Sequence, residues 1–198
     1  MRHLEKLRSE KIQFQFEVLR NQINPHFLFN SFNTLISIID DDPKVAIEYV
    51  EQLSDFFRDI VKYRAKEIIP LEEELSLLQN YFYLQQKRFG DQIQLQINIS
   101  ADEKKDSFIP PLTLQLLTEN AIKHNTISKN HTLIISIDMS APGVIVSNNI
   151  TSKREITKGE GMGLQNIINR YTLLSNKTVN IDHTSAQFIV TLPIIAYA

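Results

Sequence analysis

The chain has 198 residues, with 21 Lys and Arg against 23 Asp and Glu, a formal net charge of −2. That balance argues against a nucleic-acid binder, which carries a basic excess on one face, and the lack of cysteine excludes disulfide frameworks, thiolate metal sites and cysteine nucleophiles. No apolar run approaches the ~18 residues that would span a bilayer, and the length corresponds to about one to one and a half domains.

The first 90 residues read as helix. Leu4, Leu7, Lys11, Phe14 and Val18 follow alternating three- and four-residue spacing, a short heptad seam with one polar interruption. Met1 opens inside this pattern with no capping residue, so the expectation is a piece of a longer protein whose missing part lies upstream. A second helix is expected from Pro43 to Arg64, with Ala46, Val50, Leu53, Phe57 and Ile60 on one stripe and Asp40, Asp41 and Asp42 as capping candidates. Ile69-Pro70 breaks the chain. A third helix is expected from Leu71 to Arg88; its run Glu72-Glu73-Glu74 complements the helix dipole, and Gly90 closes it.

The pattern then changes. From Gln92 to Ile99 polar and apolar residues alternate strictly, the signature of a half-buried strand. After Pro110-Pro111 a helix is expected from Leu112 to Asn125. Thr132–Asp138 and Val144–Asn148 read as strands joined by a turn at Ala141-Pro142-Gly143. A polar loop reaches Gly161, Gly163 to Leu174 reads as helix, and Lys177–Ile181 with Gln187–Leu192 read as a last pair of strands. The fold class is therefore α+β, an all-helical front followed by a mixed back, with the boundary between residues 65 and 90.

Three stretches carry residue types able to do chemistry. In Asn24-Pro25-His26-Phe27-Leu28-Phe29-Asn30, the proline would kink a helix and tilt His26 out of its seam. An imidazole exposed in this way is a nucleophile near neutral pH, although the same residues fit a helix break with a surface or capping histidine. In the helix ending Glu119-Asn120-Ala121-Ile122-Lys123-His124-Asn125, residues Asn120, Lys123 and His124 share one edge. An amide oxygen, an ammonium and an imidazole there could hold magnesium and phosphates, or simply form a solvated face. The stretch Gly159-Glu160-Gly161-Met162-Gly163-Leu164-Gln165-Asn166 joins a loop to a helix start, where backbone N–H groups can approach phosphate oxygens. It is neither a dinucleotide fingerprint nor a Walker A loop, and such glycines also make plain flexible turns.

Together and in this order, these stretches resemble the kinase region of bacterial LytS/YehU-type sensor histidine kinases. Leu19 to Asn30 resembles that family's phosphoacceptor box. Pro70-Leu71 with Glu73-Glu74-Leu75, then Tyr81, Gln85, Arg88, Phe89 and Gly90, resembles its linker helix. Ile109-Pro110-Pro111 with Glu119 to His124 resembles the N box, and Gly159 to Asn166 the glycine lid. The resemblance covers about residues 13 to 195. It implies a helical dimerisation and phosphoacceptor domain over 1–68, then a linker helix and a Bergerat-type α/β sandwich that binds ATP over 69–198. It further implies that His26 accepts the γ-phosphoryl group, that Asn30 orients it, and that Asn120 is the Mg²⁺ ligand. Lys123, His124 and Asn148 would bind ATP, with Gly159, Gly161, Gly163 and Leu164 as its lid. The implied partners are a second copy and a response regulator. No nucleic acid is implied, and a membrane is involved only through an upstream region, with this part facing the cytoplasm of a bacterial inner-membrane sensor.

Two positions depart from the family pattern. Asn148 stands where the family carries an aspartate that binds the adenine amine, and Ile150 stands at a glycine position. An amide oxygen still accepts one hydrogen bond, without charge. The departure sustains a second reading, a nucleotide-responsive dimeric signalling module with weak or no catalysis.

Overall fold

A computed structural model describes residues 25–63, 65–105, 107–141, 143–151 and 162–195. The heptad seam from Leu4 to Val18, the residues before Pro25, and Gly159 and Gly161 lie outside them. The chain divides into two compact units, Met1–Glu51 and Gln52–Ala198.

The front consists of α1 (Pro25–Ile39) and α2 (Pro43–Tyr63). Asp42 starts α2 by accepting the backbone N–H of Lys44 and Val45 on its Oδ1, at 3.0 and 3.2 Å. A side-chain oxygen there satisfies donors that have no partner within the helix. The buried stripe of α2 is Ala46, Tyr49, Leu53, Phe56, Ile60 and Tyr63. It is thus rotated from the expected one: Val50 is exposed and Phe57 half-buried. The helix is apolar on two sides, and Tyr49 and Phe56 lie on the inner one. A second set of apolar residues faces outward. On α1 these are Phe29 (68% exposed), Phe32, Ile36 (67%) and Ile39, and on α2 they are Ile47, Val50 and Val61.

The mixed part contains the two-residue strand β1 (Ile69–Pro70), α3 (Leu71–Phe89), β2 (Ile93–Asn98), the single turn α4 (Ala101–Lys104) and β3 (Phe108–Ile109). It continues with α5 (Thr113–His124), β4 (Leu133–Ser140), β5 (Gly143–Asn149), α6 (Met162–Ser175), β6 (Asn180–His183) and β7 (Gln187–Pro193). Five strands form one sheet in the order β2-β4-β5-β7-β6, with β2 parallel to β4 and the other neighbours antiparallel. β1 and β3 form a separate antiparallel pair.

Alternation decides which face of the sheet is covered. Leu133, Ile135 and Ile137 of β4, Val144 and Val146 of β5, and Val190 and Leu192 of β7 point into one core. Leu75, Leu78 and Phe82 of α3, Leu114, Leu117 and Ala121 of α5, and Ile167 and Tyr171 of α6 close that core. The opposite face carries polar pairs such as Asn98 Nδ2 donating to Asp138 Oδ1 at 2.7 Å. This is a two-layer α/β sandwich, in agreement with the expected fold class. At Gly143 a Cβ would lie 1.9 Å from the Leu192 carbonyl oxygen, so only glycine lets β5 begin this close to β7.

Candidate functional site

Asn120 lies in the third turn of α5, on the half-buried side of that helix, with Lys123 exposed and His124 half-buried one turn further on. The 3.6-residue repeat puts the three on one edge, as the spacing predicts. Gly163 is the second residue of α6, and a Cβ built on it would sit 3.4 Å from Asn120 Oδ1 and 3.5 Å from Nδ2. The structure therefore brings Asn120 and Gly163 face to face at a helix N-terminus. There, the helix dipole favours an anion. Leu164, next in α6, is half-buried and packs against the core.

Asn148 sits near the end of β5, opposite Ile135 of β4 and Phe188 of β7, and is 7% exposed. Its Nδ2 donates to the Asn149 carbonyl oxygen at 2.7 Å. That orients the amide, with Oδ1 as its acceptor. Asn148→Asp is therefore expected to lose this hydrogen bond. A carboxylate oxygen would face the Asn149 carbonyl at the same distance, losing a bond and adding repulsion. The expected cost is about 1–3 kcal/mol of stability, read as a lower urea midpoint, with no gain in ATP affinity.

Sequence reasoning missed several residues that build this region. Asn125, which ends α5, accepts the Thr151 N–H on Oδ1 at 2.9 Å and donates through Nδ2 to the Ala121 carbonyl at 2.9 Å. It fastens the chain leaving β5 to the end of the N-box helix. Asn149 bridges to β4, accepting from Ile134 N at 2.8 Å and donating to the Thr132 carbonyl at 2.9 Å. Glu74 of α3 is fully buried, and its two oxygens accept the N–H of Leu112 and Leu114, each at 2.8 Å. Burial pushes its pKa up to about 8, against the lowering pull of the Leu114 and Leu112 N–H bonds and of Arg170. Arg170 of α6 donates to the Pro111 carbonyl at 2.8 Å, and its own pKa is lowered by burial. The available signal for Glu74 was its position on the apolar stripe of Leu71, Leu75 and Leu78, where an unpaired charge would be costly.

The first candidate stretch lies in the other unit. His26 is exposed in the first turn of α1, and the Asn30 amide nitrogen lies 3.0 Å from its Nδ1 and 3.4 Å from its Nε2. The two expected partners are thus side by side, one turn apart. The kink expected at Pro25 would involve residues outside the described ones. Among the described residues no group of three or more His, Cys, Asp or Glu side chains could hold a metal. No helix among them is long and apolar enough to cross a membrane.

Residues 14–93 match the histidine kinase family. The sensor protein LytS of Oceanobacillus iheyensis is 34% identical over 210 residues, covering 94% of this chain and 36% of that protein. The chain belongs to the LytS-type sensor histidine kinases. LytS of Bacillus cereus is 40% identical over 119 residues, covering 60% of this chain and 20% of its own length. The chain thus spans 20–36% of the length of these curated relatives. Among solved structures, the histidine kinase AdeS of Acinetobacter baumannii aligns with a TM-score of 0.46 at 15% identity, covering 87% of this chain and 98% of that one.

Proposed function

We propose that this chain is the catalytic region of a two-component sensor kinase. It transfers the γ-phosphoryl group of ATP to His26 and passes it on to an aspartate of a response regulator. The observation that carries this reading is the meeting of Asn120 with Gly163 at the start of α6, in a chain whose sequence also carries the nucleophile-bearing motif at His26. In the transfer, the bond between the γ-phosphorus and the bridging oxygen breaks, a ring nitrogen of His26 forms a new bond to phosphorus, and ADP leaves. Such transfer passes through a loose transition state and asks mainly for positioning and charge neutralisation.

Asn120 supplies the kind of neutral oxygen that suits Mg²⁺, a hard cation that keeps phosphate and water oxygens in its shell. Mg²⁺ would neutralise charge on the phosphates. Lys123 adds a positive charge on the same edge, and His124 lines the phosphate or ribose side. Asn148 would accept from the adenine amine. Gly159, Gly161, Gly163 and Leu164 would form the lid of a Bergerat-type site. The working division is 1–68 for the acceptor and dimerisation part and 69–198 for the linker and ATP-binding part.

A second copy would cover the outward apolar residues of α1 and α2. Phe29, Phe32, Ile36 and Ile39 repeat at three- and four-residue spacing, the pattern of a helix bundle seam. In the longer protein, an upstream region would carry the membrane attachment and leave this part on the cytoplasmic side.

The test is incubation with γ-labelled ATP and Mg²⁺. Label that is labile in acid and stable in alkali supports phosphohistidine. ATP binding with no label supports the alternative, a signalling module that responds to nucleotide without catalysis. A second check is Gly163→Ala. Alanine favours a helix by about 1 kcal/mol over glycine, so the melting temperature should hold or rise. The added methyl would make ordinary contact with the Asn120 amide at 3.4 Å, and by filling the space a phosphate would take beside it, it should lower MgATP affinity about tenfold, or 1.4 kcal/mol.

A further inference from the structure

The N-box helix begins in an unusual way. Leu112 occupies its N-cap with φ 63, and no side chain of its own caps the helix. A left-handed backbone costs a non-glycine residue about 1–2 kcal/mol, and such outliers persist only where their surroundings enforce them. Here the enforcing groups come from outside the helix. The Glu74 carboxyl, from the first turn of α3, takes the N–H of both Leu112 and Leu114 at 2.8 Å. It sits at the positive end of the α5 dipole. The Leu112 side chain packs against Tyr63 at the end of α2, Ile69 of β1 and Leu77 of α3. Just upstream, β3 pairs with β1 through Ile69↔Ile109 and Pro70↔Phe108, and Leu71 N donates to the Ser107 carbonyl at 2.7 Å. From the other side, Arg170 holds the Pro111 carbonyl at 2.8 Å.

We infer that Glu74 and Leu112 form a clasp through which the linker segment 63–77 sets the position of α5, and with it that of Asn120. Asn120 lies eight residues beyond Leu112, roughly 12 Å along one helix at 1.5 Å per residue. A helix this short moves as a rod, so a tilt imposed at its start reappears at the asparagine. Two backbone N–H groups at the start of α5 are held by Glu74 and the Leu112 side chain is seated on Tyr63, Ile69 and Leu77, all within the segment between the end of α2 and the second turn of α3, while Thr113 Oγ1 bonds the Pro110 carbonyl and Leu114 enters the main core. A change in how α2 ends would therefore reach Asn120 without touching nucleotide. Glu74 and Leu112 are positioning residues; neither needs to meet the nucleotide. This inference rests on the reading of Asn120 as the residue that meets Mg²⁺ and the phosphates.

The test compares Glu74→Gln and Leu112→Gly with wild type. Glutamine keeps the size of Glu74, but accepts only one of the two N–H groups and turns its own N–H₂ on the other. Glycine suits φ 63 and keeps the Glu74 bonds, so this variant folds while losing the packing on Tyr63, Ile69 and Leu77. Three quantities are read: affinity for MgATP, affinity for adenosine without Mg²⁺, and hydrogen exchange of the α5 amides. Both variants are expected to weaken MgATP about tenfold, to leave adenosine within about twofold, and to raise exchange along α5. Equal losses for MgATP and adenosine would overturn the clasp, because general destabilisation predicts that. Wild-type MgATP affinity and unchanged α5 exchange in both variants would overturn it too. If the wild-type chain neither binds MgATP nor takes label, the reading of Asn120 falls. The clasp is then judged on exchange alone: faster α5 exchange in both variants supports it, and unchanged exchange overturns it.

Discussion

His26→Gln is expected to remove all acid-labile label from the chain while ATP affinity stays within about twofold of wild type, since exposed substitutions rarely move energies by more than ~0.5 kcal/mol. The residue is exposed in the first turn of α1, so glutamine fits without repacking. A glutamine amide nitrogen has its lone pair delocalised into the carbonyl and does not attack phosphorus, whereas a neutral imidazole does. The Asn30 amide, 3.0 Å from Nδ1, would hold the ring in one orientation, and glutamine leaves that partner with a flexible amide in its place. The measurement is label incorporated under γ-labelled ATP and Mg²⁺, beside ATP affinity from a fluorescent nucleotide. Undiminished acid-labile label in the variant would move the acceptor to another residue.

Much of this architecture could be read from the chain, because the patterns behind it are local. The strict alternation from Gln92 to Ile99 gave β2, and the 3.6-residue repeat gave α3, α5 and α6 within one or two residues of their ends. β6 was less exact, beginning at Asn180 rather than near Lys177. It is an edge strand, and each of its four residues is exposed, so burial imposes little pattern on it. The strand pair β1–β3 was not legible: two residues each, joined by a register that spans forty positions, leave no periodic trace. The turn α4 carries a capping box between Ser100 and Glu103, a local sequence signal for its start.

The candidate site divides along the same line. Asn120, Lys123 and His124 share an edge because they share a helix, which spacing alone can say. The approach of Gly163 to Asn120 needs two helices from distant parts of the chain, and only the fold supplies it. Glu74 was read as a dipole partner of its own helix α3, but its oxygens instead cap α5. Both roles place a carboxyl at a helix N-terminus, and sequence cannot say which helix receives it. Likewise, the expected stripe of α2 shares Ala46, Leu53 and Ile60 with the buried one but carries Val50 and Phe57 in place of Tyr49 and Phe56, since those residues are as apolar as the ones that are buried.

Asn120→Ala should lower MgATP-dependent label on His26 about 100-fold, equivalent to about 2.7 kcal/mol in the barrier. The same change should leave the fold intact or slightly firmer. Alanine is the better helix former by a few tenths of a kcal/mol or more, and Asn120 is only half-buried. Removing its amide opens space beside Gly163. That combination separates function from stability: a drop in label with an unchanged melting temperature cannot be ascribed to unfolding. The loss should also depend on the metal, because the amide oxygen is assigned to Mg²⁺ while Asn148 is assigned to the base. Adenosine affinity without Mg²⁺ should therefore stay near wild type, and MgATP affinity should fall. Label incorporation and MgATP affinity within twofold of wild type would remove Asn120 from the site. A parallel loss of adenosine affinity would show instead that Asn120 shapes the whole pocket, and the division of labour between α5 and β5 would have to be redrawn.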